Sequence, residues 1–274
     1  MNRGAKLLAV AAMMASLLLA TGCSKLKARD QLNKGVQAYK NLKYEAAIEN
    51  FKKAIELDPA LVNAQLYLAT AYAQQYIPGA DTPENNRFAE QAIVEYQKVI
   101  ANDPKNVNSI KGIAYLYLQM KSFEKAKEYY RKAAEADPSD PEIYYSIAVI
   151  DWTQSYQPRM EERAKLGMKP QDALTDKTVC GKLRDSNLAG VDEGMKMLDK
   201  ALQLRPEYDD AMAYMNLLYR EKADMTCESK EERASLLKSA DDWVKKTMDT
   251  KKANLEKKSQ GQGGITMDSE SKSQ

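Results

Sequence analysis

The chain has 274 residues, 29% of them charged and 44% hydrophobic, with 41 basic against 39 acidic side chains, three cysteines and no histidine. Near-neutral charge removes the basic excess with which a nucleic-acid binder meets phosphates, so no nucleic-acid partner is expected. The missing histidine removes the commonest general base and the commonest transition-metal ligand, and no cysteine cluster replaces it. Nucleophile elbows and phosphate loops are absent too, and the Gly261 to Gly264 stretch follows no strand and opens no helix. A non-enzymatic protein without metal or cofactor is the expectation.

In chain order, Arg3 and Lys6 give a charged start, Leu7 to Ala20 is apolar, and Thr21, Gly22 and Cys23 follow. That order is the signature of an export signal, and the apolar run is too short to span a bilayer comfortably. A cysteine directly after Gly22 makes the segment resemble a bacterial lipoprotein signal, although Ala20 stands where that family usually has leucine and Leu19 lies one step back. The resemblance implies removal of residues 1–22 and acylation of Cys23, with two or three acyl chains for stable membrane anchoring. Ser24, where retention in the inner membrane would favour aspartate, implies a bacterial outer-membrane anchor with the body in the periplasm. An ordinary cleaved signal with an incidental cysteine, or an uncleaved anchor, has the same charged-apolar-small order. Loss of Arg3 and Lys6 leaves 39 basic and 39 acidic residues. Ser24 to Ala28 would then form a leash of about five residues, reaching roughly 17 Å.

Beyond it a block recurs: Ala, then an aromatic four residues on, Ala three further, Pro five further. It reads Ala47, Phe51, Ala54, Pro59 and again Ala126, Tyr130, Ala133, Pro138, with looser copies at Ala92, Tyr96, Val99, Pro104 and Gly194, Leu198, Ala201, Pro206. Its apolar spacing is that of one helix face, and each proline stops the helix before it. These blocks resemble the second helix of the tetratricopeptide repeat, a 34-residue helix pair that buries its apolar face only by stacking on neighbours. The resemblance covers roughly residues 28–250 and implies an all-α fold, a right-handed superhelical solenoid of repeats.

The repeats fall at about 28–61, with Gly35 where its two helices approach closely, then 62–106, 107–140, 141–208 and a capping pair at 209–254. Two stretches exceed the register. Residues 76–86 carry two prolines and a glycine that oppose regular helix, and predict an inserted loop. Residues 155–187 predict a second insertion with some helix of its own. Lys230 to Lys252 predicts a lysine-rich capping helix, and 255–274, with little to bury, predicts a disordered tail.

In a solenoid the turns within adjacent repeats sit side by side. Cys180, between the helices of the fourth repeat, and Cys227, between those of the fifth, are thus placed to pair in an oxidising compartment, or else remain two unpaired structural cysteines. The family also implies ligand contacts on the first helix of each repeat: Tyr39 and Lys40, then Asn63, Leu66, Thr70 and Gln74, then Asn108, Lys111, Tyr115 and Leu118, then Tyr145 and Trp152. Members that clamp a C-terminal carboxylate place Lys and Asn where Leu32 and Val36 stand here, so an apolar or aromatic peptide groove fits better. Aromatics at helical spacing equally serve packing.

The resemblance therefore implies a lipid-anchored periplasmic scaffold that holds a peptide or protein partner, such as an accessory of envelope assembly. The alternative is a small-ligand or glycan receptor stacking its ligand on Tyr115, Tyr145 and Trp152. An enzyme subunit using Glu142 or Asp151 has position alone behind it, and both acids are expected to be solvated or capping.

Overall fold

The first proline stop shows how this sequence makes its elements. At Leu57-Asp58-Pro59 the aspartate is extended, as a residue before proline must be, and its Oδ1 accepts the Ala60 N–H at 3.2 Å. The same device recurs at Asp103 with Lys105 N and at Asp137 with Ser139 N. Helix starts are equally local. Thr82 caps Asn85 with Pro83 in the first helical turn, Asn106 caps Ser109, Asp140 precedes Pro141, and Asp176 caps Val179.

The structure, a computed structural model, describes residues 23–169 and 172–262, and every regular element among them is an α-helix. The export segment 1–22 and the end of the tail, 263–274, lie outside the described residues. Helix α1 occupies residues 23–40. It is followed by α2 (Tyr44–Leu57), α3 (Val62–Gln75), α4 (Pro83–Asn102), α5 (Val107–Gln119), α6 (Phe123–Ala136), α7 (Pro141–Lys165), α8 (Lys177–Leu204), α9 (Asp209–Asp224) and α10 (Lys230–Gln262). The chain forms two units, one ending at Ala136 and one beginning at Asp137, each with its own core.

In the first unit, α3 packs on α2, α4 and α5, and α5 packs on α6. Its core holds Ala47, Phe51, Leu68, Ala69, Tyr72, Ala92, Tyr96, Ile113 and Leu116. Gly35 and Gly112 let helices approach: a Cβ on Gly35 would stand 2.4 Å from the Phe51 ring, and one on Gly112 2.6 Å from the Tyr96 ring. In the second unit α7 packs on α8 and α9, and α9 on α10. Its core includes Ala148, Leu183, Val191, Leu198, Tyr208, Met215 and Leu218.

Several expectations change. The excess at 155–187 is no separate insertion. It lengthens α7 through Pro158 to Lys165 and starts α8 eleven residues before Leu188. The charged stretch after Tyr156 stays helical because its arginines are paired with α9, as shown below. The 76–86 loop is shorter, since Pro83 occupies a position whose N–H a helix does not use and so opens α4. Asn85, 6% exposed, fixes what remains of it, donating to Ile77 O and Ala80 O and accepting from Ile77 N. At the C-terminus α10 continues to Gln262, so 255–262 is helix rather than tail. Lys257 Nζ meets Glu207 Oε1 at 2.5 Å and Asn254 donates to Glu207 O at 3.2 Å.

The leash expected at Ser24 to Ala28 is helix instead. Residues 23–28 are already helical, Ala28 is fully buried, and Ser24 Oγ donates to Leu57 O at 2.5 Å.

Candidate partner-binding faces

Helices α3 and α5 are the first helices of two successive repeats and lie against one another in the first unit. Their core-facing residues are Ala64, Leu68, Ala69, Ala71 and Tyr72 on α3, and Ser109, Ile110, Ile113, Ala114 and Leu116 on α5. Asn63, Leu66, Tyr67, Thr70 and Gln74 lie outside this fully buried set, and likewise Asn108, Lys111, Tyr115 and Leu118. The structure sorts this set. Asn63 and Asn108 are exposed, whereas Leu66 is half-buried against the core. Thr70 is occupied internally, donating to Leu66 O at 2.9 Å and lying 3.2 Å from Tyr96 OH. Tyr39 packs edge-on against Tyr44 at 5.5 Å and hydrogen-bonds Gln74, and burial raises its phenol pKa. Lys40 is exposed. Tyr115 is different, with 54% of its surface in solvent. Tyr67, which the sequence did not single out, is 38% exposed and stacks on Phe51 at 5.6 Å.

In the second unit Tyr145 and Trp152 are brought together, but by packing. Tyr145 lies 5.1 Å from Tyr208 and 5.4 Å from Tyr214, and Trp152 lies 5.4 Å from Tyr214 and 4.8 Å from Tyr156. Both are half-buried. Burial first, then the neighbouring Tyr214, Asp210 and Glu142, raises the Tyr145 pKa far above the usual phenol value. Trp152 Nε1 finds no hydrogen-bond partner among the described residues. This corrects the expectation of open stacking platforms: their faces are filled by aromatics of α7, α9 and the turn before α9.

Of the two carboxylates, Glu142 is in the first turn of α7 with its side chain 45% exposed, as expected, whereas Asp151 is buried. Glu142 accepts from Arg205 at 2.7 Å and from Tyr208 OH at 2.9 Å, while Asp151 is 2% exposed beneath Gly194. Two further acids, legible only once α7 and α9 are side by side, form a buried charge cluster. Arg159 Nε lies 3.0 Å from Glu221 Oε2, which also accepts from Ser155 Oγ. Arg159 and Arg163 both reach Asp224 Oδ2, at 3.0 and 2.9 Å. Arg163 also donates to the carbonyls of Lys169 and Asp172, within the loop between α7 and α8. Burial outweighs the pull of Arg159 and Ser155 on Glu221 and lifts its pKa to about 7. Among the described residues no group of three or more Cys, Asp or Glu side chains is placed to hold a metal ion.

Cys180 and Cys227 are joined as a disulfide, with Cα atoms 5.6 Å apart. Cys180 sits inside the first turn of α8 rather than between helices, because α8 starts earlier than the repeat pattern predicts. Cys23 is free and exposed at the start of the described chain.

Two family models match, a TPR repeat over residues 37–75 and a tetratricopeptide repeat over residues 89–150. The chain carries tetratricopeptide repeats over these two segments. Its matched segments run from the end of α1 through α3 and from α4 into α7, so the Ala-aromatic-Ala-Pro blocks at Ala47 and Ala126 fall within them. Among curated proteins, the Protein CTR9 homolog of Arabidopsis thaliana is 34% identical over 59 residues, 22% of this chain and 5% of that protein's length. Among solved structures, a MamA crystal structure aligns with a TM-score of 0.53 at 13% identity, over 89% of this chain and 98% of that one. MamA from Desulfovibrio magneticus RS-1, residue 41 to the end, gives 0.54 at 15% identity, over 83% and 96%. At such identities these likenesses show the fold alone. Tetratricopeptide repeats are in general non-catalytic scaffolds for protein partners.

Proposed function

We propose that this tetratricopeptide protein is a lipid-anchored scaffold of the bacterial envelope, tied to the periplasmic side of the outer membrane through Cys23 and holding a peptide or protein on the α3–α5 face. The observation that carries the binding site is Tyr115, more than half exposed on α5, while Thr70 on α3 is held by internal hydrogen bonds. A tyrosine offers large apolar area with a polar tip and few torsions to freeze, which suits a contact residue. Exposed Asn63 and Asn108 flank it with polar contacts. The anchor rests on the charged-apolar-small order of residues 1–22 and on an exposed, unpaired Cys23. An envelope-assembly accessory is the role that a scaffold held so near a membrane fits best.

The glycan-receptor alternative uses Tyr115, Tyr145 and Trp152 as stacking platforms, but Tyr145 and Trp152 pack against aromatics of their own unit. The test is crosslinking in intact cells followed by affinity capture, comparing wild type with Tyr115→Ala, while a palmitate analogue labels Cys23. The proposal expects a captured protein that the variant loses with its circular dichroism unchanged, and label that disappears in Cys23→Ser. Capture unaffected by Tyr115→Ala would remove the site, and absence of label would remove the anchor.

A further inference from the structure

We infer that the first two turns of α1 form a cationic collar that docks on the anionic phospholipid headgroups of the membrane carrying Cys23. The inference rests on the acylation proposed for Cys23 and adds a second, electrostatic contact. Lys25, Lys27 and Arg29 are all exposed, and none has an ion-pair partner among the described residues. Leu26 between them is 71% exposed. Of the nearby acids, Asp30 is balanced by Lys34 at 2.7 Å, and Asp58 sets one negative charge against these three cations. The local field is therefore positive, although the mature chain is neutral.

Geometry gives this charge its effect. A flexible leash would let the body drift from the surface. Here the helix runs from residue 23 and is seated by the buried Ala28 and by the Ser24 hydrogen bond to Leu57. At 1.5 Å of rise per residue the three cations lie roughly 3, 6 and 9 Å along the axis from Cys23. That is about one Debye length at physiological ionic strength, close enough for headgroup attraction to survive screening. Leu26 is at the right level to enter the interfacial layer. Each basic residue at an anionic surface adds about fivefold in affinity, so three together give roughly a hundredfold.

Because Cys180 and Cys227 are bonded to each other, Cys23 is the free cysteine of the chain. The mature form beginning at Cys23 can thus be coupled there to a single thiol-reactive acyl chain, whose own membrane affinity is marginal and leaves the added contact readable. Sedimentation is then measured with vesicles of phosphatidylcholine alone and with a phosphatidylglycerol admixture, at low and high salt. The collar predicts binding roughly a hundredfold tighter to anionic vesicles at low salt, with most of the gain lost at high salt. Lys25→Gln, Lys27→Gln and Arg29→Gln together should bring binding to the phosphatidylcholine level. The matched triple Lys245→Gln, Lys246→Gln and Lys251→Gln on α10 should keep the preference. Equal binding to both vesicles, an unaffected collar variant, or equal loss in the α10 control would each overturn the proposal. Since the acyl chain is supplied chemically, this outcome is independent of whether cells acylate Cys23, which the palmitate label reports separately.

Discussion

Replacing single glycines by alanine gives a test in which the sign, not only the size, is at stake. In an open helix the change stabilises by about 0.5–1 kcal/mol, because alanine has less backbone freedom to lose. Gly181 in α8 is such a position, with no atom within 4 Å of an added Cβ. Gly35 in α1 is the opposite case. Its Cβ would stand 2.4 and 2.5 Å from Phe51 Cε1 and Cδ1, and Phe51 is fully buried with its ring stacked on Tyr67. The ring has nowhere to go without displacing α2 or α3. Overpacking of this kind costs about 1–3 kcal/mol, which exceeds the helix-propensity gain and leaves a net loss of about 1–2 kcal/mol. Urea unfolding of the mature chain followed by circular dichroism should show Gly35→Ala with a lower midpoint and Gly181→Ala with a higher one. If Gly35→Ala were as stable as wild type or more so, the ring would be free to yield, and the close approach of α1 and α2 would not be the constraint described here. Gly112→Ala should behave like Gly35→Ala, through Tyr96.

Three further outcomes are expected. Reduction of the disulfide, or Cys180→Ser with Cys227→Ser, opens a 47-residue separation and should lower the stability of the second unit by about 4 kcal/mol on loop-closure entropy; calorimetry showing an unchanged transition would refute it. Trp152→Ala should destabilise that unit by about 3–5 kcal/mol, which marks the residue as packing, and should leave partner capture intact in the folded fraction. Glu221 sets a pH dependence. Its pKa is raised from 4.5 to about 7 in the folded state, so between those values the folded protein holds the proton that the unfolded chain has released. Stability therefore falls as pH rises through that window, by about 3 kcal/mol at about 1.4 kcal/mol per unit. Urea midpoints from pH 4.5 to 8 should slope downward more in wild type than in Glu221→Gln, and equal slopes would remove Glu221 as the cause.

What the sequence makes legible divides along physical lines. The Ala-aromatic-Ala-Pro blocks predict the existence of α2, α4 and α6 and where each one stops, because both causes are local, an apolar stripe and an Asp-Pro stop. Gly35 is legible for the same reason, as a small residue facing a large ring. The long helices α7 and α8 are not, because their charged turns look like solvated loop until Arg159 and Arg163 meet Glu221 and Asp224, 61 or more residues away in the chain. A pairing at that separation leaves no periodic trace. The candidate site follows the same rule. Ligand positions transferred from the repeat register land on the outward side of α3 and α5, so register is enough to find the face. It cannot tell Tyr115, left open, from Thr70, Tyr145 and Trp152, which neighbours from other helices occupy. Nor does register show that residues 24–28 are helix and not a leash, a placement supported by a hydrogen bond from Ser24 to a carbonyl 33 residues on. That single contact changes the expected role of the segment. A leash would only connect the scaffold to its proposed anchor, whereas under the proposal made above a seated helix would present Lys25, Lys27 and Arg29 to a membrane surface.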